Sequence, residues 1–184
     1  MATYFDIETI KELNEYRKKI FDIRQQAFDE LGIDILDNDT LSALSQFEIV
    51  NSYDPDYNIN FARNGEDAIS KETVIEQKCS RVKKYKRKQG YPDAVFMFHA
   101  KGDLEYPRYI FSARDHETLE IFRIYDISDA DNVAAIVAHL EAESIAWSAN
   151  GFQKRDVITV PESLLRTLKI TKTETKKGCE IVWA

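Results

Sequence analysis

The sequence predicts an α/β (α+β) protein in which one central mixed sheet is flanked by helices and preceded by a helical N-terminal piece. Three observations carry that expectation. Residues 7–31 repeat apolar side chains at helical spacing, the period drops to two from about residue 57, and a further helical stretch at 129–143 interrupts the strand-like segments.

Taken in order, Ile10, Leu13, Ile20, Ile23, Ala27 and Leu31 mark one stripe of a long amphipathic helix, with Gly32 as its stop. Asp39 or Thr40 can cap a second helix whose Leu41, Leu44 and Phe47 share a face. "YNINFA" and "TVIEQKCS" then read as strands, with a glycine-marked turn at Gly65 between them. "AVFMFHA" has no polar alternation and reads as a fully buried strand, and "RYIFSA" with "TLEIFRIYDI" reads as a hairpin-like pair. The helix "DADNVAAIVAHLEAE" follows. The tail gives a strand "DVITV", a helix "PESLLRTL" opened by Pro161, and a last strand "CEIVWA".

With 184 residues, 43% of them hydrophobic, the chain can bury a core of its own, and the expectation is a single domain over 1–184: 1–52 helical, 53–184 the sheet core. "MATYFDIETIKE" lacks a basic start followed by an apolar run, and no stretch is long and apolar enough to span a bilayer, so no membrane partner and a cytoplasmic location are expected. Cys79 and Cys179 have neither disulfide-framework nor zinc spacing and read as small hydrophobes. The net charge of −7 is unevenly spread: residues 1–80 carry −9, 81–114 carry +6, 115–150 carry −7 and 151–184 carry +3. An acidic total therefore leaves room for a basic face, concentrated in "SRVKKYKRKQGYP" and, less so, in "KITKTETKKG".

The chemistry concentrates in "NGEDAISKETVIEQKCS", residues 64–80. Side chains alternate along a strand, so Val74, Glu76, Lys78 and Ser80 share one face. With Asp67 on a neighbouring strand end, two carboxylates and an amine can surround one hard cation, to which the backbone carbonyl of Gln77, water and a phosphate oxygen add ligands. A lysine there orients a water and stabilises charge on a phosphate under attack. In a chain that is 31% charged the tripeptide E-x-K is common, and a second copy, Glu174-Thr175-Lys176, serves as a control: it has no apolar alternation around it and Leu165 nine residues upstream. The competing interpretation of Glu76 and Lys78 is an ordinary ion pair on a solvated strand face.

"GEDAISKETVIEQKCS" resembles the active-site signature of the PD-(D/E)xK nuclease superfamily, and its G-x-Asp-Ala turn and Glu-x-Lys-x-Ser strand are most similar to the PvuII-type restriction endonucleases. "KKYKRKQGYPDAVFMF" resembles that group's Lys-Tyr helix and following apolar strand, and the leading helical region is similar in size to its dimerisation part. The resemblance implies a restriction-endonuclease-like fold, Asp67 and Glu76 as metal ligands, Lys78 as the residue positioning the water, and Tyr85 near the scissile phosphate. The oxygen donors themselves predict Mg2+ as cofactor, with Mn2+ substituting and Ca2+, a weaker acid toward bound water, binding without turnover. The chain departs from the group in having only Ser80 to Tyr91 where relatives insert a longer histidine-bearing segment that reads bases, so no target sequence carries over.

Beside such a site, Arg81, Lys83, Lys84, Lys86, Arg87 and Lys88 read as a surface for the DNA backbone, which supplies affinity without sequence information. His99, His116 and His139 lack ligand partners at metal-binding spacing, and Phe96, Phe98, Phe111, Phe122 and Tyr125 read as core. Three functions fit: a Mg-dependent type II restriction endonuclease cutting both strands of a short palindromic double-stranded site; a structure-specific or nicking nuclease of the same superfamily, such as a junction resolvase or repair enzyme; or a non-catalytic DNA-binding domain. The first leads, because an idle site has no need of all three groups. Two-strand cutting at a symmetric site calls for a homodimer, and the helix from Ile10 to Leu31 is the candidate interface.

Overall fold

A computed structural model describes residues 7–32, 34–60, 67–85, 90–149 and 156–184. The chain divides into two compact units, Met1–Leu44 and Ser45–Ala184. In the first, α1 (Ile7–Leu31) forms as the apolar spacing predicts. It ends at Gly32, whose φ of +70° suits a residue without Cβ and whose N–H donates to the carbonyl of Phe28 at 2.8 Å. Leu13, Ile20, Ile23 and Leu31 stay exposed within their own unit. The second helix, α2 (Asn38–Val50), starts earlier than expected. Its cap is Asp37, whose carboxylate accepts the Thr40 N–H at 3.1 Å, rather than Asp39 or Thr40. Its buried face carries Gln46, Ile49 and Val50, while Leu44 is exposed.

The second unit holds a seven-stranded mixed sheet flanked by helices. Its strands are β1 (Tyr57–Ile59), β2 (Ala68–Ser70), β3 (Thr73–Val82), β5 (Arg108–Asp115), β6 (Ile121–Ile127), β8 (Lys172–Lys176) and β9 (Cys179–Trp183). Their order is β1-β2-β3-β5-β6-β9-β8, with β3 parallel to β5, β6 parallel to β9, and the other neighbours antiparallel. The expected pair β5–β6 is present. Being central, β5 is buried on both faces, which is why its sequence lacks alternation. Tyr109, Phe111 and Ala113 join one apolar cluster with Phe96, Phe98, Ile158 and Val160, and with Ile136 and Leu140 of α3 (Ala130–Ala149); Ile110 joins another with Ile49, Val50, Tyr57 and Ile75.

Several expectations need correction. β4 (Val95–His99) is not fully buried: it pairs only with β7 (Val157–Pro161) outside the main sheet, so Phe96 and Phe98 face the core while Met97 is 63% exposed. β8 was not expected, because Lys-Thr-Glu-Thr-Lys carries no apolar pattern; it forms through a two-residue turn to β9 at Lys177 and Gly178, both at positive φ (49° and 78°). β2 emerges where the sequence suggested only a turn. The Lys-Tyr helix is not seen at Lys83–Tyr85, which follow β3 without regular structure, and residues 86–89 lie outside the described ones. α3 also runs six residues beyond the expected end, and α4 (Glu162–Leu165) is a single turn with Pro161 as its N-cap.

The Glu162 carboxylate, fully buried, anchors the two-stranded sheet to the larger one. It accepts hydrogen bonds from the Ala94 N–H at 2.7 Å, the Tyr125 hydroxyl at 2.9 Å and Arg166 at 3.1 Å, and it contacts the Arg123 guanidinium. Burial by itself would raise its pKa; these donors outweigh burial and hold it below the usual carboxylate range. Among the described residues, no helix is long and apolar enough to cross a membrane.

Candidate active site

The antiparallel register of β2 on β3 pairs Ala68 with Ile75, so Asp67, one step earlier, comes opposite Glu76. Period-two alternation puts Lys78 on the same face as Glu76. The result is a three-group cluster: the Lys78 ammonium contacts the Glu76 carboxylate and stands 3.2 Å from Asp67 Oδ2. The other side of the ammonium lies 5.3 Å from the Phe98 ring centroid, against an aromatic wall contributed by β4. Side-chain exposure falls from 35% at Asp67 through 25% at Lys78 to 9% at Glu76, so the cluster opens to solvent at its Asp67 end.

Two carboxylates share one ammonium here, leaving a net negative charge in a partly buried place. Burial pushes the Glu76 carboxyl above its ordinary range, and the adjacent Asp67 adds to that effect against the pull of Lys78. For Lys78, burial works against the charged form, but Asp67 and Glu76 outweigh it and its pKa is raised. The lysine is an ammonium, held by both acids.

Gln77 fixes the third corner. Its backbone N–H donates to Asp67 Oδ2 at 3.1 Å. In an extended strand a residue's N–H and C=O leave by the same edge, so the Gln77 carbonyl is aimed toward the Asp67 side, where the sequence placed it as a ligand. Two carboxylates and a carbonyl are hard oxygen donors with a charge deficit that a divalent cation would fill, and the donor set fits magnesium, which keeps several waters. Among the described residues, no cluster of three or more His, Cys, Asp or Glu forms a metal-holding group.

The site contains one residue that sequence reasoning missed. Tyr106, in the connection between β4 and β5, stands within electrostatic reach of Glu76; burial first, then the negative charges of Glu76, Asp103 and Asp67, push its phenol up to about 12. It is held there by Tyr109, the β5 residue paired with Glu76, whose hydroxyl donates to the Leu104 carbonyl and accepts the Tyr106 N–H at 3.2 Å. Tyr85 takes no part in this cluster. It lies beyond Val82, the end of β3 and itself about 13 Å from Lys78 at strand rise; its side chain is 47% exposed and its N–H donates to Gly90.

Arg81 is exposed near the end of β3, and Lys83 and Lys84 are exposed just past it. Lys86, Arg87 and Lys88 lie outside the described residues, as do Gly65 and Glu66. His139 of α3 bonds the Thr159 carbonyl at 2.9 Å, and the backbone N–H of His116 donates to the Val82 carbonyl. No protein-family model matches the chain, and a search of curated proteins found no match either.

Proposed function

We propose that the protein is a Mg-dependent endonuclease of the restriction type, hydrolysing phosphodiester bonds in both strands of a short palindromic double-stranded DNA site as a homodimer. One observation carries this: Asp67, Glu76 and Lys78 converge on one strand face, with two acids to one base and an open side at Asp67. Bound magnesium would supply Lewis-acid charge beside the scissile phosphate. Asp67, Glu76 and the Gln77 carbonyl would hold it, Mn2+ would replace it, and Ca2+ would bind without turnover. Lys78 orients a water for addition to phosphorus and stabilises the charge that builds on the phosphate oxygens as the opposite P–O ester bond breaks. Arg81, Lys83 and Lys84, with Lys86, Arg87 and Lys88, contact the DNA backbone. The exposed stripe of α1 joins two copies, giving one catalytic set per strand.

The test is incubation with duplex plasmid and with branched DNA, with Mg2+ and with excess chelator. Discrete plasmid fragments that require the metal are expected, and sequencing their ends would read out the site. Preference for branched DNA would move the assignment to a structure-specific nuclease, and activity surviving the chelator would refute the metal mechanism.

A further inference from the structure

We propose that Gln46, Tyr57 and the side chain of Gln77 are positioning residues for the Asp67–Glu76–Lys78 site, an inference that rests on the metal-dependent function above. Gln77 lies between Glu76 and Lys78, so its side chain leaves the opposite face of β3. There its amide oxygen accepts from Gln46 Nε2 of α2 at 2.8 Å and from the Tyr57 hydroxyl of β1. Gln46 Nε2 also lies 3.3 Å from the Tyr57 oxygen, closing the triangle. The backbone of the same Gln77 holds Asp67 at 3.1 Å.

One residue is thus gripped on one face by α2 and β1 and, through its main chain, grips a carboxylate of the site. A roll of Gln77 about the strand axis tips Glu76 and Lys78 with it and drags Asp67. Gln46 is 2% exposed, and Tyr57 is fully buried in an apolar cluster that includes Ile49, Val50, Ala68, Ile75 and Ile110. Apolar side chains would pack there at lower desolvation cost. Hydrogen bonds add direction, and direction is what a site assembled from two strands and a turn requires. The plain alternative is that the triangle only locks α2 onto the sheet.

Calorimetric titration with Mn2+ alone, run beside thermal unfolding, separates the two for wild type, Gln77→Leu, Gln46→Leu and Tyr57→Phe. Tyr57→Phe keeps the ring and its packing and serves should a leucine variant fail to fold. Each variant is expected to bind Mn2+ about 10-fold more weakly. The Gln46→Leu/Gln77→Leu double variant should bind no worse than Gln77→Leu, because the two act through one bond. In cleavage, kcat should fall with KM for DNA unchanged. Variants that melt earlier but bind Mn2+ like wild type would overturn the positioning role and leave a structural one. A wild type that binds no Mn2+ would overturn the metal-dependent function itself, and the inference with it.

Discussion

Glu76-Gln77-Lys78 on β3 and Glu174-Thr175-Lys176 on β8 have the same spacing on the same kind of element, and they make opposite environments. On β8, an edge strand, Glu174 sits between two lysines, 2.6 Å from Lys172 and 3.1 Å from Lys176. Those hydrogen bonds hold its carboxyl below the usual range. On β3, flanked by β2 and β5, the ratio is inverted to two acids and one lysine, and burial drives the Glu76 carboxyl up. Spacing only guarantees a shared face. What separates a candidate metal site from a satisfied ion pair is the strand's place in the sheet and the third charged group that the neighbouring strand delivers.

The largest test of that contrast is catalytic. Lys78→Met should lower plasmid cleavage by about 100-fold or more, since it removes a charge aimed at the reacting phosphate, whereas Lys176→Met should leave the rate at the wild-type value. Equal losses in initial-rate assays would mean that the two copies do not differ in function.

Glu162 sharpens the comparison by showing that burial alone does not define the site. It is as buried as a carboxylate can be, yet its pKa moves down because donors meet both of its oxygens. Glu162→Gln should cost on the order of 3 kcal/mol in urea unfolding, since it breaks a buried, charge-assisted network. The pH dependence has a definite sign. A folded-state pKa below the unfolded value of about 4.3 means that this stabilisation is fully present above that pH and is lost as pH falls through the lower folded value. The variant should lack that acid limb; an unchanged limb in urea titrations would place the acid sensitivity elsewhere.

The chain's local chemistry was readable, and its long-range chemistry was not. Asp67, Glu76 and Lys78 could be read because a tight hairpin and strand alternation join them within a few residues. Tyr106 could not, because it reaches Glu76 only through the parallel pairing of β5 on β3, which no local pattern announces. Tyr85 drew attention by its nearness in sequence to the basic run, although the extended end of β3 carries it away from the cluster. β4 misled for a related reason: an apolar run shows what a strand can bury, while exposure depends on how many partners it meets. In Asp37-Asn38-Asp39-Thr40 every residue can cap a helix, so composition left the start of α2 open and the Thr40 N–H decided it.

Metal binding gives the next effect in size. Ca2+ at a hundred times its dissociation constant should stabilise wild type against urea by about 2.7 kcal/mol, because only the folded chain assembles the two carboxylates. Asp67→Asn should abolish this increment, and Glu174→Gln should retain it in full. A Ca2+ increment that persists in Asp67→Asn would place the ion elsewhere and dissolve the distinction between the two glutamates.

The smallest expected effect is the change made at Glu174 without any ligand. Lys172 and Lys176 reach it from an edge strand, and each also lies over an aromatic ring, Lys172 at 4.4 Å from Trp183 and Lys176 at 5.6 Å from Tyr53. Both ammonium groups therefore keep a partner when the carboxylate is neutralised. Partly exposed ion pairs at a sheet edge often contribute little. Glu174→Gln should melt at the wild-type temperature and cut plasmid at the wild-type rate. Were cleavage to accelerate at low salt, the gain would come from unmasking two cations at the β8 edge, and that edge would then belong to the DNA-facing surface, making the two E-x-K copies parts of one interface.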